Sequence, residues 1–192
     1  MKTIKFFLLI FSGFYLFNCA GKNYKKMSLE DPASLLKIED SLLVKNKNNQ
    51  NIIDVLIVAN NKMGNNYLRD GELSSAMNHF KKAISLNSDD KLSNYGLLIS
   101  EGRFLINKGN KNGVWDAIEK FSKASNLFPK SGEPFYWIAA SYTKLGDTEF
   151  DLILESYEKS LSLELSENLK IAAQKKYKKA KNRKTKLDSF WK

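Results

Sequence analysis

The chain has one cysteine and one histidine in 192 residues. With Cys19 as the only thiol no internal disulfide can form, so stability must come from apolar packing. With His79 alone, and Cys19 far from it, a transition-metal site finds no ligand set, and a histidine between Asn78 and Phe80 reads as a solvent-facing position on a helix. Arginine is scarce: Arg69, Arg103 and Arg183 are three of 31 basic residues. Readers of base sequence lean on the planar guanidinium, so a lysine-dominated charge argues against nucleic-acid recognition. No segment alternates apolar and polar residues long enough to suggest a sheet. No two carboxylates stand out as general acid and base, since Asp89, Asp90 and Glu119 fall in turns or on amphipathic helices. Gly109 and Gly113 sit in a Lys-Asn turn without the strand that a phosphate-cradling loop needs. The expectation is a protein with no enzymatic activity, no cofactor and no metal.

What is present begins at the N-terminus. Lys2 and Lys5 precede an apolar run from Phe6 to Phe17, and Cys19 follows Leu16-Phe17-Asn18. The run is too short to cross a bilayer, which takes about 20 apolar residues. A basic start, a short apolar core and a cysteine resemble a bacterial lipoprotein signal, although Asn18 stands where such signals favour Gly, Ala or Ser. The resemblance implies cleavage after residue 18, lipidation of Cys19, and a membrane-anchored place in the bacterial cell envelope, outside the cytoplasm. An ordinary cleaved signal and an uncleaved anchor are the other readings. The net charge of +10 lies wholly in this segment and in Ser166–Lys192, so residues 19–165 balance near zero. The many Lys, Asn and Ile residues also fit an AT-rich genome.

Residues 19–30 read as a lipidated cysteine and a polar tether. Asp31-Pro32 then starts a helix, Asp as cap and Pro in the first turn, that runs to Asn46 with Leu35, Leu36, Leu42 and Leu43 on one face. The rest is helix and short turns, organised by a recurring triplet: Ala76, Phe80 and Ala83; Ala117, Phe121 and Ala124; then, more loosely, Ile153, Tyr157 and Ser160. Ahead of the first stand Gly64 and Tyr67; ahead of the third, Ala139 and Tyr142. Small residues at these positions let two antiparallel helices approach closely, and the aromatics fill the gaps beside them. The spacing resembles the tetratricopeptide repeat over residues 52–165, about three units. In that register Leu98 and Glu101 take the glycine and tyrosine places of the second unit, and a seven-residue insertion falls in the loop over 107–113. The resemblance implies an all-α, short solenoid of helix-turn-helix repeats with N- and C-terminal capping helices. The C-terminal cap covers 166 to about 181, with Leu169, Ala172, Ala173, Tyr177 and Ala180 inward, inside a basic segment that runs to residue 192.

Such an array offers a concave groove lined by the first helix of each repeat. From helix phase the residues facing it are Asn61, Asn65, Leu68 and Arg69; Tyr95, Ile99 and Arg103; and Tyr136, Ala140, Thr143 and Lys144. Peptide-binding members of the family place a gripping amide where Asn65 stands. Arg69, Arg103 and Lys144 share a phase and would form a cationic ridge for a carboxylate. The basic tail, ending in Phe190-Trp191, suits an anionic surface. The resemblance thus implies a non-enzymatic envelope scaffold or adaptor holding a protein or peptide partner. The alternative is a small-ligand or lipid carrier serving an envelope transport system, which a closed apolar cavity would favour over an open groove.

Overall fold

The computed structural model describes residues 23–146 and 149–190. Among them lie ten helices and one isolated bridge, and no strand. The helices are α1 (Tyr24–Glu30), α2 (Pro32–Leu36), α3 (Glu39–Lys45), α4 (Gln50–Asp70), α5 (Leu73–Leu86), α6 (Lys91–Lys108), α7 (Lys111–Leu127), α8 (Glu133–Leu145), α9 (Phe150–Leu161) and α10 (Glu167–Phe190). Three antiparallel pairs, α4 with α5, α6 with α7 and α8 with α9, stack in chain order through α5 on α6 and α7 on α8. The first helices also touch one another, α4 with α6 and α6 with α8, and the second helices make no comparable contact. The stack therefore curves toward α4, α6 and α8. This is an all-α solenoid of three tetratricopeptide-type repeats.

The triplets make the core. Ala76, Phe80, Ala83, Ala117, Phe121 and Ala124 are fully buried, and Ile153, Tyr157 and Ser160 nearly so. Each large ring lies where the facing helix carries no side chain: a Cβ on Gly64 would come within 2.7 Å of Phe80, and one on Gly102 within 2.5 Å of Phe121. Gly102 is thus the close-approach residue of the second repeat, one turn later than the Leu98 that even spacing indicates. Gly96 adds a second approach, with a Cβ 2.3 Å from the same Phe80 ring. The extra residues of this repeat do not form a loop over 107–113. They lengthen helices: α6 continues to Lys108 and ends at Gly109, whose φ of 75° suits glycine, and Asn110 caps α7 by accepting from Gly113 N at 2.6 Å. Local sequence cannot say whether an insertion loops out or extends a helix, because tertiary packing decides it.

Both ends are covered. The stretch expected as a tether is helical from Tyr24, and α1 packs on α4 with Tyr24 and Met27 against an apolar cluster of Leu35, Leu42, Ile52 and Leu56. Asp31 caps α2 through Ser34 N as its sequence indicates, but the helix expected to 46 breaks at Lys37-Ile38 into α2 and α3. At the other end α10 runs on to Phe190 and lays Leu169, Ala172, Ala173, Tyr177 and Ala180 on the third repeat. Its start is pinned by backbone: Gly132 N donates to Glu164 O at 2.7 Å, and Glu164 N to Lys130 O at 2.9 Å. A Cβ at Gly132 would strike Ser160 O at 2.3 Å, so this crossing admits only glycine.

Candidate functional site

The residues expected in the groove separate into three groups. Asn65, Arg69, Thr143 and Lys144 are exposed on the concave side, with Ala140 half-buried beside them. Arg69 is exposed, and its Nη2 donates to Asn66 Oδ1 at 2.9 Å on its own helix. A second group is buried instead. Asn61 is 4% exposed; its Nδ2 donates to Asp90 Oδ2 at 3.0 Å and its Oδ1 accepts from Ser93 Oγ at 2.7 Å. It joins α4 to the cap of α6. Leu68 and Ile99 are core, and Tyr136 is 5% exposed between Trp137 and Tyr157.

The third group is occupied by repeat junctions. The Tyr95 hydroxyl lies 3.0 Å from Ser131 Oγ and donates to Glu133 Oε2 at 3.3 Å, with its ring edge-on to Phe128. Burial, then the charge of Glu133, pushes its pKa up. Arg103 donates from Nη1 to Leu68 O at 2.8 Å, closing the C-terminal end of α4, and lays its guanidinium 4.7 Å from the Trp137 ring. Burial pulls its pKa down against Glu133 and Tyr136, which hold it up. The expected ridge of three cations is therefore broken. The second repeat is displaced by one turn, so Asn107 takes the place beside Arg69 and Lys144, and Arg103 turns into the junction.

A cavity that the sequence did not single out lies where α10 crosses the concave face. It measures about 390 Å³. Ile106, Trp137, Phe150 and Ile153 line it with carbon; Lys144 of α8 and Lys176, Lys179 and Arg183 of α10 bring positive charge. Lys176 rests over the Tyr136 ring at 4.8 Å. Tyr157, in the wall, has a hydroxyl with no hydrogen-bond partner; the Thr143 hydroxyl nearby donates to Ala139 O. Burial pushes the Tyr157 pKa up to about 12. The spacing of Lys176, Lys179 and Arg183 marks a basic stripe on a helix. Where the stripe lands depends on how α10 crosses its neighbours, which no local pattern encodes.

His79 also differs from its expected place. It is partly buried, stacks on Tyr67 with centroids 5.4 Å apart, and lies 3.0 Å through Nδ1 from Asn60 Oδ1. Asn60 spends its amide hydrogens on Glu39 Oε1 and Leu56 O, so its oxygen accepts and His79 donates. Lys82 Nζ meets the other oxygen of the buried Glu39 at 3.5 Å. This chain of contacts ties α3 to α4 and α5. No group of three or more His, Cys, Asp or Glu residues gathers as metal ligands among the described residues, and no described helix is long and apolar enough to cross a membrane. Cys19 lies outside the described residues.

No protein-family model and no curated protein matches the chain. Among solved structures it is similar to the crystal structure of MamA, at 22% identity over 86% of this chain and 95% of that one, with a TM-score of 0.47. The assignment of the fold rests on the helix pairs and the buried triplets.

Proposed function

We propose that the chain is a non-enzymatic scaffold of the bacterial cell envelope, anchored through a lipid on Cys19, whose concave face holds a protein or peptide partner. The observation that carries this reading is the curved inner face, where Asn65, Arg69, Asn107, Thr143 and Lys144 stand exposed on three successive first helices. Repeats of this kind contact only their neighbours, so their curvature presents an extended surface rather than an enclosed active site. The outward residues of α10, among them Lys175, Lys178 and Lys186, are exposed and suit the anionic surface of the membrane to which Cys19 is tethered.

The test is site-specific photo-crosslinking in cells. A crosslinking residue at 65 or 144 traps one discrete partner, and residues at Lys81 of α5 or Ser122 of α7, on the outer helices, trap none. Equal trapping from both faces, or trapping from the outer face alone, removes the groove from the reading.

A further inference from the structure

The cavity under α10 has one-sided chemistry. Of its fourteen lining residues four are basic and none is acidic. Lys144 and Lys179 enter no ion pair among the described residues. Lys176 sits over an aromatic face instead of against a carboxylate. Between these charges the wall is carbon from Ile106, Trp137, Phe150 and Ile153. The volume falls at the small end of the range for small-molecule sites, and the lining, apolar with a few convergent polar groups, is of the same kind. Lys176, Lys179, Ala180 and Arg183 of α10 share this lining with Ile106 and Asn107 of α6 and Ala140 of α8, so three helices contribute to one partly open pocket.

We propose that this cavity binds a small amphipathic anion: a carbon body seated against Trp137 and Ile153, with a carboxylate held by Lys144, Lys176 and Lys179. The lack of any acidic lining residue selects the sign of the charge, and the carbon wall selects the body. The site overlaps the proposed groove at Asn107, Thr143 and Lys144 and leaves Asn65 and Arg69 outside it, so crosslinking from residue 65 tests the groove apart from the cavity.

Equilibrium dialysis of radiolabelled decanoate against the full chain tests the proposal, with neutral decanol as the matched probe. Decanoate saturates one site, and decanol binds roughly tenfold more weakly or less. Lys176→Glu with Lys179→Glu, both exposed, lowers decanoate affinity by roughly tenfold or more. Ala140→Phe puts a ring into the cavity and blocks binding. Decanoate that fails to saturate, decanol that binds as tightly, or affinity indifferent to these substitutions overturns the proposal. So does an acidic peptide that binds where decanoate does not, which would make the occupant a chain.

Discussion

Phe80 lies edge-to-backbone against Gly96, so close that a Cβ there would stand 2.3 Å from the ring. Gly64 of α4 meets the same ring, with a Cβ position 2.7 Å away. One side chain thereby closes the first repeat and seats the second on it, and two helices reach contact distance only because neither carries a side chain there.

Gly96→Ala pits two effects against each other. Alanine gains about 1 kcal/mol of helix propensity over glycine in a helix interior. Overpacking against a trapped ring costs roughly 1–3 kcal/mol. Since Phe80 is fully buried and meets glycines of two helices at close range, the overpacking term wins, and urea unfolding should show a less stable protein. A variant as stable as the wild type would mean that α5 and α6 can slide apart.

Arg103→Ala tests whether that side chain serves structure or ligand. It removes a charged donor to Leu68 O and the guanidinium over Trp137. A hydrogen bond to a charged group contributes roughly 1.5–3 kcal/mol, and the stacked contact about 0.5–1 kcal/mol more. Arg103→Lys should recover only part, since an ammonium cannot both reach the carbonyl and lie flat on the indole. Calorimetric melting of the three proteins decides it. Unchanged melting in Arg103→Ala would return Arg103 to the groove.

These two cases show what a one-dimensional pattern reports. The triplets were legible because burial of Ala76, Phe80 and Ala83 repeats with a helical period, and so were the inward residues of α10. Gly102 was not, because even spacing points to Leu98, and only the facing Phe121 reveals which residue must be small. Groove residues were half legible for the same reason. Helix phase says which way Asn61 and Tyr136 point, but not that Asp90 and Tyr157 come to meet them. Polar contacts between elements, such as Asn60 with Glu39 and His79, join residues 21 and 19 positions apart and leave no periodic trace.

Lipidation rests on Cys19 alone, as the one cysteine of the chain. Metabolic labelling with palmitate in the native host should mark the protein, and Cys19→Ser should lose the label and release the protein from the membrane fraction. Label that persists in the substituted protein would assign the lipid elsewhere, and membrane retention without label would favour an uncleaved anchor.

His79 gives the fold a pH dependence whose sign follows from its surroundings. Burial lowers its pKa most, the Lys82 charge lowers it further, and Glu39 raises it. The imidazole donates from Nδ1 to Asn60 and lies flat on Tyr67, an arrangement complete in the neutral form. A histidine with a folded pKa below its unfolded value near 6.5 binds fewer protons folded than unfolded between the two. Its contribution is therefore whole above about pH 6.5 and is lost as pH falls through the folded pKa. Urea midpoints measured from pH 7.5 down to 5 should fall more steeply for the wild type than for His79→Gln, which has no proton to take up. Because the chain has one histidine, a single imidazole C–H resonance reports the titration directly. A midpoint above 6.5 in the folded protein would reverse the sign, and would mean that Glu39, not burial, governs the site.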